Sequence, residues 1–189
     1  MPMTIRSAGF VIFRRFSDKE DADLPEYLLL QASYGEFHWS PPKGEVEYFE
    51  PDYLAAVRET REETGLTSEN LKMGFDISQT IDYVNRKGRK KKAIYYLAEL
   101  LNDVPIVLSD EHQIYKWFPA EEARSICLYQ DLSKVIDNFE TFIKKGEWDY
   151  IYGDVNHGAK PDVDYEKYNF DCPTCGPQPE APTTEITGA

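Results

Sequence analysis

One helical segment restricts the possible folds of this chain more than any other feature. Pro51 stands at its first position and Gly65 just beyond its end, which is the usual punctuation of a helix. At about 100° per residue, Glu59, Glu62 and Glu63 share one sector of this helix about 100° wide. Three such carboxylates repel one another by about a few tenths of a kcal/mol per pair. A hard divalent cation bound by the three carboxylates would turn this repulsion into a net attraction, so the helix predicts convergence of its glutamates on a metal.

The rest of the same helix predicts how it is oriented. Ala55 and Ala56 lie one turn before the glutamates on the same sector, and their small side chains are expected to leave room for ligands. Tyr53, Leu54 and Val57 lie on the opposite side and are expected to face the core. The other interpretation is a solvated charged face, with the carboxylates balanced by neighbouring arginines.

The residues around the helix favour the metal site over a solvated face. Gly44 is followed after five residues by Glu50, and after seven more by a run that starts at Arg58. The whole reads G-x5-E-x7-R-E-U-x-E-E-x-G-U, with every charged and glycine position filled. This pattern resembles the signature of the Nudix hydrolases.

The resemblance implies an α/β fold, an α/β/α sandwich with a mixed sheet and the glutamate-bearing helix. It implies Mg²⁺ or Mn²⁺ as cofactor, because hydrolysis of a phosphoanhydride needs cations to neutralise developing charge and to activate water. Glu50 would support the metal site, and Arg58 would orient the glutamates. The residues that the resemblance assigns to the metal are Gly44, Glu59, Glu62 and Glu63.

Three segments outside the signature show a resemblance to one group of enzymes within this family. They are residues 28–33, 37–44 and 109–113, and they are similar to the asymmetrical diadenosine tetraphosphate hydrolases of animals, over roughly residues 5–145. Those enzymes split the dinucleotide into ATP and AMP by attack of water on a phosphorus of the bridging chain. The likeness adds Glu111 as a further metal ligand or base. It assigns substrate binding to His38, Lys43, Tyr83, Arg86, Lys90 and Tyr129.

The charge distribution supports an anionic ligand at one place only. Lysine and arginine number 21 against 34 acidic residues, a net charge of −13, so duplex nucleic acid is not an expected partner. Six of the 21 basic residues nevertheless fall within residues 86–92. A polyphosphate bridge would need such a patch. A solubilising hairpin tip and a nuclear-import signal are the other interpretations.

Tyr83 directly precedes this basic cluster. An adenine stacked on its ring would gain about 1–3 kcal/mol. The resemblance points to the same residue and to Tyr129 as the second face of a clamp. The alternative is that both are ordinary structural tyrosines.

Strands and further helices are expected on either side of the signature. The pattern predicts strands at 8–13, 26–32, 76–84, 93–100 and 113–118, a short helix opening near 119, and a final amphipathic helix over 132–143. These elements place the hydrolase domain in residues 1–147. Residues 148–189 are acidic and contain prolines, which predicts a mostly irregular tail.

Two local features depart from this scheme. Tyr48 and Phe49 stand where similar proteins usually carry Pro-Gly, so the shape of that loop and its effect on substrate preference are open. Cys172 and Cys175 form half of a zinc knuckle, which Cys127 and His157 could complete only if the tail folds back. A plain tail is the favoured interpretation.

Two other functions are kept open. One is removal of a 5′ pyrophosphate or cap from RNA, which would call for a longer basic track. The other is a non-catalytic sensor of dinucleotide polyphosphates, which has less need of three positioned glutamates. The chain is expected to be a cytoplasmic monomer, with nuclear entry as an addition, and no membrane partner is expected because no apolar run approaches about 20 residues.

Overall fold

The computed structural model describes residues 4–15, 24–84, 88–127 and 129–152. These residues form seven strands and four helices. The elements in chain order are β1 (Ile5–Arg14), β2 (Glu26–Ala32), β3 (Trp39–Ser40), β4 (Lys43–Glu45), α1 (Asp52–Thr64), β5 (Leu71–Val84), β6 (Lys90–Leu100), β7 (His112–Pro119), α2 (Ala120–Ile126), α3 (Gln130–Lys144) and α4 (Glu147–Tyr152). None of these helices is both long enough and apolar enough to cross a membrane.

The strands form one mixed sheet that splits near its centre. Its main order is β3-β2-β1-β6-β5, with β4 added to β1 and β7 added to β2. Only the β1–β6 pair is parallel. β1 and β2 pair at just two positions, Phe13 with Tyr27 and Arg14 with Glu26, and then diverge. Beyond these two positions β2 pairs with β3 and β1 pairs with β4, so the β3–β4 connection lines the gap between β1 and β2.

Helices cover both faces of the sheet. Alternate residues of β1 point to opposite faces, as the period of two in a strand requires. Phe10 and Ile12 join the core beneath α1, whereas Val11 and Phe13 join the core beneath α2, α3 and α4. The predicted stripe on α3 is buried in this second core. The expected α/β/α sandwich is confirmed.

Two expectations about residues near the helices differ from the structure. Ala55 and Ala56 are fully buried in the core beneath α1, so they do not make room for ligands. α4 spans the expected boundary at residue 147, and its Trp148 is fully buried against Phe13. An indole offers a large apolar surface, so the packed part of the chain continues at least to Tyr152.

Candidate active site

The split in the sheet brings β4 against the glutamates of α1. Gly44 on β4 lies so close to α1 that a Cβ atom there would stand 2.0 Å from the Glu59 carboxyl carbon. Only glycine leaves space for that carboxylate. α1 ends at Gly65, whose φ of 74° allows its N–H to cap the Arg61 carbonyl at 2.9 Å. The glutamates therefore occupy the last two turns of a helix that is fixed at its end.

Arg58 organises the acidic residues around it. Its Nε and Nη2 donate to the two carboxylate oxygens of Glu50, each at 2.9 Å. Its Nη1 donates to Glu59 Oε1 at 2.7 Å and to Glu62 Oε2 at 3.4 Å. Its Nη2 also donates to the Glu45 carbonyl at 3.0 Å, which ties α1 to β4. Arg58 thus donates to Glu50, Glu59 and Glu62, and its role in orienting the glutamates stays a prediction from the resemblance.

Glu63 has a different environment from the other two glutamates of the helix. It is buried, and its Oε2 accepts the backbone N–H of Lys43 at 2.9 Å. Burial raises the pKa of Glu63 to about 8; Lys43 opposes this rise, whereas the charges of Glu59 and Glu111 add to it. Burial also raises the pKa of Glu59, although the hydrogen bond from Arg58 opposes that rise. Both carboxylates are held where a negative charge is costly.

Glu111, just before β7, and His112, the first residue of β7, lie at the same site. The Glu111 carbonyl accepts the Ser33 N–H at 2.8 Å, which fastens this segment to the loop after β2. His112 Nε2 lies 3.8 Å from Glu63 Oε1. Burial, together with the nearby charges of Lys43 and His38, lowers the pKa of His112 to about 4. His112 is therefore neutral at pH 7.

Tyr34 on the loop after β2 faces this cluster. Partial burial raises its pKa, and the charges of Glu111 and Glu63 add to the rise. Its ring contacts the imidazole of His38 edge to face, with 6.3 Å between centroids. The two aromatic side chains thus form one wall of the site.

Two tyrosines meet on the other side of the cluster. The rings of Tyr83 on β5 and Tyr129 at the start of α3 are 5.6 Å apart between centroids, tilted by 38°. Tyr129 is 40% exposed, so the pair opens to solvent. Offset aromatic rings at this distance form a stacking surface. The structure brings together the two residues that the sequence assigned to a clamp.

Among the described residues, Lys43 and Lys91 are the lysines nearest the acidic cluster. Burial lowers the pKa of Lys43; Glu63 opposes that change, and the neighbouring charge of Lys91 adds to it. Lys91 lies opposite Tyr83 in the β5–β6 register and pairs with Glu45 at 3.0 Å. Lys90, which the sequence favoured, is exposed one position earlier. Strand alternation turns the two side chains to opposite faces. Arg86 lies outside the described residues.

The donor set of this site fits a hard divalent cation. Carboxylate oxygens are the preferred ligands of Mg²⁺ and Mn²⁺, and the missing side chain of Gly44 leaves room for the Glu59 carboxylate. A cation would also offset the repulsion that raises the pKa of Glu63. The side chains do not converge on one point as the sequence predicted: Arg58 donates to Glu59 and Glu62, whereas buried Glu63 accepts the backbone N–H of Lys43. In the described part of the chain, no three acidic, histidine or cysteine side chains already surround a common metal position.

Comparison with known proteins identifies the family. Residues 4–139 match the family described as NUDIX domain. This chain belongs to the Nudix family. The asymmetrical bis(5′-nucleosyl)-tetraphosphatase of Caenorhabditis elegans is 40% identical over 141 residues, which are 75% of this chain and 98% of that protein. The enzyme of the same name from Mus musculus is 41% identical over 143 residues, 75% of this chain and 97% of that protein.

A solved structure agrees with these Nudix relatives. The C. elegans Ap4A hydrolase in a binary complex has a TM-score of 0.70 and 39% identity, and the match covers 75% of this chain and 99% of that one. The family resemblance that the signature predicted is therefore confirmed.

Sequence reasoning missed three residues of this Nudix site. Tyr34, Lys91 and His112 face the glutamates, but none stands in the signature. The alternation of side chains along β6 could have distinguished Lys91 from Lys90, because Lys91 shares a face with the inward-pointing Ala93 and Tyr95. Tyr34 and His112 had no such signal, since a loop brings in Tyr34 and the pairing of β7 with β2 brings in His112.

The zinc interpretation depends on residues that the structure does not describe. Cys172, Cys175 and His157 lie outside the described residues. Cys127 is buried, and burial raises the pKa of its thiol to about 12.

Proposed function

We propose that the protein hydrolyses diadenosine tetraphosphate asymmetrically to ATP and AMP, with Mg²⁺ or Mn²⁺ as cofactor. The observation that supports this most directly is the position of the Tyr83–Tyr129 pair beside the basic and acidic residues of one site. A dinucleotide polyphosphate has a base, a negative phosphate chain and a point of cleavage. The site offers an aromatic surface, lysines and a cluster of carboxylates for these three parts.

The metal would be held by Glu59, Glu63 and Glu111, with Glu62 at the exposed edge. When bound, a divalent cation neutralises charge on the phosphates and lowers the pKa of a water molecule. The nitrogen donors of Arg58 keep Glu50 and Glu59 in place for this task.

The remaining groups bind and orient the substrate. One adenine would stack on Tyr83 and Tyr129, while Lys43 and Lys91 would neutralise phosphates. His38 would position the phosphate chain opposite Glu111. Water adds its oxygen to a phosphorus at one end of the bridge, and the anhydride bond to the next phosphate breaks, which yields AMP and ATP.

Product analysis tests the proposed function directly. Purified protein is incubated in Mg²⁺ with diadenosine tetraphosphate, ADP-ribose or triphosphorylated RNA, and kcat/KM is measured for each. We expect equimolar ATP and AMP, and the highest kcat/KM for the dinucleotide. Two molecules of ADP as product, or a preference for ADP-ribose or RNA, would contradict the proposal. Tight binding of the dinucleotide without turnover would indicate a sensor.

A further inference from the structure

The turn between β4 and α1 carries two aromatic side chains into solvent. Tyr48 is 80% exposed and Phe49 is 90% exposed, and their rings contact each other with 4.1 Å between centroids. The Glu50 N–H donates to the Glu47 carbonyl at 3.1 Å, which closes a four-residue turn. Phe49 is the third residue of this turn and has a φ of 67°. A type II turn has this pattern and normally uses glycine there.

This arrangement is unfavourable for the protein on its own. A bulky aromatic residue in the left-handed region is strained, and glycine would adopt the same backbone without strain. Two large apolar rings in water also forgo the stabilisation that burial would give them. Backbone strain of this kind persists when the surrounding structure enforces it, and it concentrates at functional sites.

The turn is fastened to the catalytic helix. The Glu47 N–H donates to Glu50 Oε2 at 3.0 Å, and the Arg58 guanidinium donates to the same carboxylate at 2.9 Å. Arg58 in turn holds Glu59. The aromatic pair therefore has a fixed position relative to the glutamates.

The turn and the tyrosine pair lie at opposite ends of the site. Tyr83 is opposite Lys91 on β6, and β6 is followed in the sheet by β1 and then β4. Three strand spacings, about 14 Å, separate the strand of Tyr83 from β4. Glu59 lies beside β4, and the chain passes from β4 directly into the turn. Aromatic rings thus mark both ends of a row that has lysines and carboxylates between them.

We propose that Tyr48 and Phe49 form the stacking platform for the second nucleobase of the substrate, at the end not held by Tyr83 and Tyr129. This inference rests on the proposed function and specifies its substrate class, which is a polyphosphate with a base at each end. Every base has a face that stacks on an aromatic ring, so the platform accepts different bases. The strain at Phe49 keeps the ring pair exposed for this contact.

The test compares a ligand with two bases to a ligand with one. The quantities are kcat/KM for diadenosine tetraphosphate and the inhibition constant of adenosine 5′-tetraphosphate, which has the same number of phosphates. We expect Tyr48→Ala with Phe49→Gly to lower kcat/KM for diadenosine tetraphosphate by about 5- to 150-fold. The inhibition constant of adenosine 5′-tetraphosphate should change by less than about twofold. Phe49→Tyr should retain wild-type values, because it keeps the ring.

Two controls make the outcomes distinct. Tyr150→Ala removes a side chain that is 87% exposed on α4 and should change neither quantity. Phe49→Gly should raise Tm, because it relieves the left-handed strain, so a loss of kcat/KM cannot be ascribed to unfolding. A parallel change for both ligands, or no change for either, overturns the platform while leaving the proposed function intact. A wild-type protein that does not cleave diadenosine tetraphosphate overturns the proposed function itself.

Discussion

At the scale of single residues, side chains of the same type have different roles because their surroundings differ. Glu62 is partly exposed and touches only the edge of Arg58. Glu59 is nearly buried and held by Arg58, whereas Glu63 is buried against Lys43 with its pKa raised to about 8. Burial of a charge is expensive unless a ligand compensates for it. Among the three glutamates of the helix, Glu63 is therefore the one whose negative charge most needs a bound ligand to compensate for its burial.

Glu63→Gln is expected to reduce turnover by several decades while the protein stays folded. Glutamine keeps the size of the side chain and an oxygen for the Lys43 N–H, but it lacks the charge that a divalent cation needs. Turnover and thermal unfolding are measured with and without Mg²⁺, which should raise Tm of the wild type more than that of the variant. Glu69→Gln, at an exposed glutamate, is the matched control. Near-normal turnover in folded Glu63→Gln would contradict the metal assignment.

Tyr83→Ala is expected to lower kcat/KM for diadenosine tetraphosphate by about 5- to 150-fold, because one stacked base contributes about 1–3 kcal/mol. Tyr83→Phe should retain most of it, since the ring remains. Steady-state kinetics on both variants separates stacking from a role of the hydroxyl. Equal losses in the two variants would show that the hydroxyl matters instead.

Lys91→Gln and Lys90→Gln provide a matched pair for the phosphate contact. Both remove one positive charge from β6, but only Lys91 shares a face with Tyr83 and with Glu45. We expect Lys91→Gln to lower kcat/KM more than Lys90→Gln, and the difference to shrink with added salt because the contact is partly screened. Kinetics at two salt concentrations is the measurement. A larger effect of Lys90→Gln would instead support Lys90 as the phosphate contact, as predicted from the sequence.

At the scale of elements, ion pairs join the helices that cover the tyrosine side of the sheet. Glu140 on α3 is nearly buried and accepts hydrogen bonds from Arg124 on α2 at 2.5 Å and from Lys144 at 2.6 Å. Burial would raise the pKa of Glu140, but these two hydrogen bonds outweigh burial and lower it. The charged form of Glu140 is thus stabilised by the fold.

Glu140→Gln is expected to destabilise the protein at neutral pH and much less in acid. The folded pKa lies below the unfolded value of about 4.3, so the stabilisation is complete above that pH and is lost as the pH falls through the folded pKa. About 1–2 kcal/mol is expected at pH 7, allowing for the partial exposure of Arg124 and Lys144. Urea unfolding from pH 3 to 8 measures it. A wild-type–variant difference that persists at pH 3 would contradict the argument.

At the scale of the whole molecule, the last described helix closes the fold. The Trp148 Nε1 donates to Glu99 Oε2 at 2.8 Å, and Arg15 joins Glu99 to Asp149 with distances of 2.7 and 2.6 Å. These contacts connect α4 to β1 and β6, far apart in sequence. The domain expected to end at residue 147 therefore depends on side chains beyond that boundary.

Truncation after Lys145 is expected to cost more stability than truncation after Tyr152. The shorter protein loses Trp148, and emptying such a buried indole site costs about 3–5 kcal/mol. The longer protein retains α4 and should unfold cooperatively with near-normal turnover. Urea unfolding followed by far-UV circular dichroism compares both with the full chain. Equal stability of the two truncations would show that α4 adds nothing to the core.

The signature could be recognised in the sequence because its chemistry is local. Gly44, Glu50, Arg58 and the three glutamates all lie within residues 44–63, so helical periodicity is enough to place the three glutamates on one sector of the helix. The strands and the stripe of α3 were predictable for the same reason, since burial repeats with the period of each element. Family, fold class and acidic cluster were determined at this level.

The tertiary structure decided which groups share the site. Arg58 donates to Glu59, whereas Glu63 accepts from Lys43. Ala55 and Ala56 face the core, and Lys91 rather than Lys90 shares a face with Tyr83. Each outcome depends on contacts between segments distant in sequence, and such contacts have no period to detect. Two further features arise only when the sheet splits and β4 meets α1: the burial that raises the pKa of Glu63, and the backbone strain at Phe49. An isolated segment has neither burial nor an enforced backbone conformation.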